Sequence, residues 1–219
     1  MIQLIYRALV MLVAIPVHEA AHAYVSWKLG DDTAKNMGRM SLNPMAHFDL
    51  LGALCMVVAG VGWAKPVPTA AYRFRDPKKG MALTALAGPV ANLLVAFASA
   101  VLYKVVLYAD IGMGLGMVAN ILVNLLYYMI VMNVSLAVFN MLPIPPFDGS
   151  RIMLTFLPPK WYFKIMQYEQ YIFMGMFLLL MLGVLDRPLG MLNGMAVQML
   201  DNATRFVDVI ALRMLGVWA

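Results

Sequence analysis

Apolar residues are gathered in long blocks separated by polar connections that carry most of the glycine, proline and charge. The first block runs from about Ile2 to Leu29, the second from about Met81 to Leu107 and the third from about Gly116 to Met141. As helices rising about 1.5 Å per residue, each is long enough to cross a hydrocarbon core of roughly 30 Å. A fourth block, Tyr171 to Leu185, is shorter. Between the first and second blocks lies a mixed segment around the apolar run Leu50 to Gly62. At about 13 residues that run is too short for a span, and it predicts a re-entrant or half-buried element. Next, Gly62 to Phe74 (GWAKPVPTAAYRF) alternates Pro66 and Pro68 with apolar residues, which predicts an extended, edge-strand-like stretch. After Pro188, the positions of Asp201, Arg205, Asp208 and Arg213 predict an amphipathic helix, lying at an interface or on the bundle.

The fold expected from this pattern is an all-α membrane protein. It is a polytopic helical bundle with a short strand-like or re-entrant segment between the first and second spans. A single domain would cover residues 1–219, with a C-terminal span and tail over about 168–219.

Composition agrees and removes the soluble alternative. Hydrophobic residues make up 63% of the chain and charged residues 12%, against about 25% charged in globular domains. The formal net charge is +5 and the isoelectric point near 9.4. That excess reads as loop cations rather than a nucleic-acid surface, because no basic tract is interleaved with aromatics. Lys28, Lys35, Arg39, Lys65, Arg73 and three further cations fall between residues 28 and 79, and Arg151, Lys160 and Lys164 between 142 and 167. Cytoplasmic loops collect such charge, so both segments are expected on the cytoplasmic side, with the N-terminus and tail outside. The single cysteine, Cys55, excludes an internal disulfide or a cysteine-based metal cluster. The 21 methionines form no tight array and read as packing rather than copper ligands. The N-terminus has no basic region before its apolar run, so no cleaved signal peptide is expected.

One cluster breaks the apolar pattern. The chain holds three histidines, and two of them lie with Glu19 in HEAAH, His18 to His22, inside the first block. Residues four apart on a helix share a face, so both imidazoles can bind one Zn²⁺. Glu19 follows the first ligand and is placed to act as general base on a metal-activated water. An ionisable group within a span costs about 2.5–3.5 kcal/mol on insertion scales, which a packing role seldom justifies. A catalytic zinc needs a third protein ligand. Asp148, in FNMLPIPPFDG where the third block breaks at Pro143, Pro145 and Pro146, is the best candidate, although Asp-Gly alone is also an ordinary turn.

HEAAH in the first block, GPVAN (Gly88 to Asn92) in the second and FNMLPIPPFDG ending the third resemble the site-2 protease family of intramembrane metalloproteases, in order and in spacing. GWAKPV is also similar to a segment common in its short members. The resemblance covers about residues 10 to 155. It implies a three-helix catalytic core (about 3–155), one zinc on His18, His22 and Asp148, and Glu19 as base. It implies regulated cleavage of membrane-protein substrates within or near a transmembrane helix, in a multi-pass protein of a prokaryotic cell membrane. An inserted PDZ domain or an appended CBS pair, carried by some relatives, is not seen.

Three further residues have two readings each. Asn92 and Asn140 offer amide donors for an oxyanion or substrate backbone, or for interhelical hydrogen bonds. His47 lies near the site entrance or makes a loop hydrogen bond. The extended 62–74 stretch is expected to present a strand edge to an unwound substrate. A divalent-metal transporter and a non-catalytic zinc scaffold are the rival functions.

Overall fold

The computed structural model describes residues 2–49, 52 and 64–216. Three of its helices are long and apolar enough to cross a membrane: α1 (Ile2–Lys28), α4 (Pro77–Met113) and α5 (Met117–Asn140). Two short helices lie between the first two, α2 (Thr33–Asn36) and α3 (Pro44–His47). After α5 come α6 (Asp148–Thr155), α7 (Pro159–Gln167), α8 (Glu169–Met181), α9 (Asp186–Ala203) and α10 (Arg205–Met214). The three predicted spans are therefore present as helices, and the protein is an all-helical membrane protein among the described residues.

Local chemistry sets the ends. Helix α4 begins before its apolar block because Asp76 accepts the Lys79 N–H at 3.1 Å and Pro77 stands in the first turn, where its missing N–H costs nothing. It ends at Gly114, whose φ of +67° suits glycine alone.

Two expectations change. Residues 64–70 belong to no helix or strand, and no strand occurs among the described residues. Side chains and loop atoms occupy this backbone instead of a ladder partner. Lys65 N–H donates to His47 O at 2.9 Å, Val67 N–H to Glu19 Oε2 at 3.2 Å and Ala70 N–H to Asp31 Oδ2 at 2.6 Å. The predicted re-entrant run Leu50–Gly62 lies outside the described residues except for Gly52. The fourth apolar block forms α8, whose 13 residues reach only about 20 Å. It counts toward a span only when α8 and α9 are taken together as one bent pair.

The chain divides into two compact units. One contains Met1–Ala14, Asn92–Val138 and Arg187–Ala219. At its centre Asn92, fully buried on α4, donates through Nδ2 to Ala14 O of α1 at 3.2 Å and to Asn133 Oδ1 of α5 at 2.8 Å. One amide thus joins all three spanning helices, where an unpaired polar group would cost several kcal/mol. Farther along α4, buried Lys104 pairs with Asp201 at 2.8 Å and Asp208 at 2.6 Å, and Tyr108 donates to Asp208 at 3.1 Å. The amphipathic tail helices α9 and α10 are therefore docked on α4 by charge. Leu4, Leu9 and Leu12 of α1 point outward, as lipid-facing residues do.

The other unit contains Ile15–Ala91 and Phe139–Asp186. Asp31, with no exposed surface, organises its loops. Its carboxylate accepts the Thr33 N–H at 3.0 Å, the Thr33 hydroxyl, the Ser26 hydroxyl at 3.2 Å and the Ala70 N–H. Burial pushes the Asp31 carboxyl upward, but these donors outweigh it and leave it below its ordinary value. The associated stability is full above the ordinary carboxylate pKa and is lost as pH falls from there toward the lowered folded value. Asp31→Ala strands buried donors, each costing about 1–3 kcal/mol. A clear fall in the thermal midpoint in detergent is expected, and an unchanged midpoint would show that the cluster does not hold the loops.

Candidate metal centre

The site lies within the second unit. His18 and His22 stand one turn apart on α1, 5% and 8% exposed, with rings edge to face and centroids 4.5 Å apart. Asp148 arrives from the end of α5. The prolines after Asn140 stop that helix, and Phe147 packs on Phe139 with ring centroids 4.3 Å apart. The Ser150 N–H and hydroxyl both donate to Phe147 O, at 3.0 and 2.7 Å, so the chain turns directly into α6 with Asp148 as its first residue. Gly149 makes this possible, since a Cβ there would lie 2.2 Å from Met141 O.

Asp148 Oδ2 lies 3.1 Å from His18 Nε2 and 3.3 Å from His22 Nε2, and the two Nε2 atoms are 3.0 Å apart. On its other side His22 Nδ1 faces Thr84 O at 2.7 Å. Only a protonated Nδ1 can make that bond, so in the neutral ring Nε2 presents its lone pair to the cluster. Asp148 Oδ2 is buried, without a conventionally angled hydrogen bond among the described residues despite its proximity to the imidazoles. Three potential metal-ligand atoms thus converge within 3.3 Å of one another.

Zinc fits this set. Ligand bonds of 2.0–2.1 Å at tetrahedral angles put donor atoms about 3.3 Å apart, close to the spacing of the three donors. His18, His22 and Asp148 also form the one group of candidate metal ligands among the described residues.

Glu19 is not in that group. It is half-buried, and its carboxylate accepts the Val67 N–H. The other candidates are placed elsewhere. Asn92 belongs to the first unit, and its Nδ2 serves the interhelical bonds to Ala14 and Asn133. Asn140 is the last residue of α5. His47, 1% exposed, makes a loop hydrogen bond, its Nε2 lying 2.7 Å from Ser41 O.

Sequence reasoning named Gly88 only as the first residue of GPVAN and gave it no role. A Cβ on this residue would lie 2.4 Å from His22 Nε2 and 2.5 Å from His18 Cε1. Helix α4 can meet the two imidazoles only because position 88 has no side chain. The available signal was a Gly-Pro pair inside a spanning helix, where each residue weakens the helix and so needs a reason.

Residues 6–183 match the model of peptidase family M50. The chain is 40% identical over 172 residues to "Putative zinc metalloprotease YwhC" of Bacillus subtilis (strain 168), covering 76% of this chain and 75% of that protein. It is 25% identical over 184 residues to "Putative zinc metalloprotease Rip2" of Mycolicibacterium smegmatis (strain ATCC 700084 / mc(2)155), covering 80% of this chain and 66% of that one. No solved structure matches the chain. A family match over most of the length, a zinc metalloprotease relative at 40% identity and three helices long and apolar enough to span a membrane lead to one assignment: the chain belongs to peptidase family M50, the site-2 protease family, and is an integral membrane zinc metalloprotease.

Proposed function

We propose that this protease hydrolyses peptide bonds within or near the transmembrane segments of membrane-protein substrates, with Glu19 as general base. The observation that carries the proposal is the convergence of His18, His22 and Asp148 next to a carboxylate on a membrane-spanning helix. Zinc held by those three residues would polarise the scissile carbonyl and bring the pKa of a water toward about 7. Glu19 then takes the proton from the attacking water. As the C–N bond breaks, the same carboxyl returns that proton to the departing amine, so the base ends as it began. Thr84, through His22 Nδ1–H, fixes the tautomer that leaves Nε2 free to ligate.

The bilayer restricts the substrate. A transmembrane helix keeps its carbonyls in internal hydrogen bonds, so the segment to be cut must unwind locally. The membrane is then a prokaryotic cell membrane, as the relatives' organisms suggest, and the cation-rich 28–79 and 142–167 connections favour Asp148 on its cytoplasmic side. The chain's own partners are then the bilayer and a substrate with a transmembrane helix.

The test is cleavage of a panel of single-span proteins in lipid vesicles. Cuts should map within or beside the spanning segment, disappear on chelation and return with one equivalent of zinc. Zinc accumulation in the vesicles with no substrate cut would favour a transporter and overturn the proposal.

A further inference from the structure

Arg39 is 95% shielded from solvent, yet no carboxylate pairs with it among the described residues. Its two terminal nitrogens serve backbone carbonyls instead. One terminal nitrogen donates to Ala46 O, and the other to Lys65 O and, at 2.9 Å, to Pro66 O. A buried cation given to one carbonyl of helix α3 and two of the 65–66 segment is a clamp. The segment it clamps is the one whose next amide, Val67 N–H, donates to Glu19 Oε2.

The sequence of that segment suits the purpose. Pro66 and Pro68 have no N–H, so Val67 offers the only amide proton between them. Each proline also holds the residue before it, Lys65 or Val67, in extended conformation. The result is a stiff rail with a single donor between its two prolines. Arg39 and His47 O fix its start, and Asp31 fixes Ala70 at its far end.

We propose that Arg39 is a positioning residue for Glu19, acting through the Lys65–Val67 rail. Arg39 holds the Val67 amide at the height where it meets the Glu19 carboxylate and so aims the free carboxylate oxygen. This rests on Glu19 being the general base. Lysine cannot replace the fork, because one ammonium does not span the carbonyls of Ala46 and Lys65 together.

The experiment is a double-mutant cycle between Arg39→Gln and Val67→Pro in the full-length protein in vesicles, read as kcat, KM and bound zinc. Val67→Pro removes the N–H that reaches Glu19. Each single variant should lose about 10–100-fold in kcat, the effect of a misplaced reacting group. KM should stay within about twofold and zinc at one per chain, and the double variant should be no slower than Val67→Pro alone. Arg39→Lys should recover zinc and folding but not the full kcat. Exposed Arg73, paired with Asp32, serves as the control, and Arg73→Gln should cleave at the parent rate. Independent, multiplying losses in the double variant would overturn the proposal, as would an unchanged kcat in Arg39→Gln. Zinc lost together with kcat would overturn it too, and if Arg39→Gln does not fold, Arg39→Lys takes its place in the cycle. Failure of the base assignment reads differently, as cleavage surviving in Glu19→Gln whatever the Arg39 variants do.

Discussion

Glu19→Gln is expected to keep one zinc per chain and to lose proteolysis by about 10²–10⁴-fold, the range contributed by a positioned general base. The two side chains have nearly the same shape, and the glutamine amide oxygen can still accept the Val67 N–H. The rail and helix α1 are therefore undisturbed. The candidate ligands are His18, His22 and Asp148, so metal content is expected to be independent of position 19. What changes is that an amide cannot take a proton at neutral pH. Zinc analysis alongside single-turnover cleavage separates these contributions. Full cleavage by the zinc-loaded variant would remove Glu19 from the mechanism. Loss of zinc would mean that Glu19 serves the ligands rather than the water.

Those parts of the site that consist of side chains with unusual surroundings were legible in the sequence. Two histidines and a glutamate inside an apolar block are conspicuous because the bilayer makes them expensive. Asp148 was legible as a candidate because prolines end the third span just before it. The spanning helices were legible for the same reason, since lipid imposes length and apolarity together. Residues that work through the backbone were not. Arg39 counts in the sequence as one more loop cation, and its three carbonyl partners lie 7, 26 and 27 positions away. Asp31 and Asp32 look alike in the sequence, but one is fully buried under four donors and the other makes an exposed ion pair with Arg73.

Asn92 carried two readings, and the structure shows its Nδ2 making interhelical bonds to Ala14 and Asn133. The strand expectation for 62–74 failed on a related point. Alternating proline disfavours helix, and residues 64–70 form none. A strand also needs a neighbour with free backbone groups, and a proline pattern carries no information about that.

Gly88→Ala is the substitution for which helix propensity and the site predict opposite signs. Alanine in the middle of α4 should stabilise the helix by about 1 kcal/mol over glycine. Its Cβ, however, would sit 2.4 Å from His22 Nε2 and 2.5 Å from His18 Cε1, about 1 Å inside ordinary contact. Neither ring can retreat cheaply. His22 is held from behind by the Thr84 carbonyl at 2.7 Å, and both imidazoles are buried on α1. Helix α4 must therefore shift or the rings must turn. Zinc bonds of 2.0–2.1 Å do not stretch to follow a displacement of that size. Disturbing the surroundings of a ligand typically costs 10–100-fold in metal affinity, or about 1.4–2.8 kcal/mol, more than the helix gains. The expected result is a metal-free protein no more stable than its parent, because overpacking costs about 1–3 kcal/mol and offsets the helix gain, with zinc affinity down at least tenfold and proteolysis falling with zinc occupancy. Gly175→Ala is the matched control, because Gly175 lies within helix α8 with open space where a Cβ would stand. It should gain helix stability and leave zinc binding alone. Zinc titration of both variants decides the point. Parental affinity in Gly88→Ala would mean that the helices yield at this contact and that its closeness does not shape the metal site.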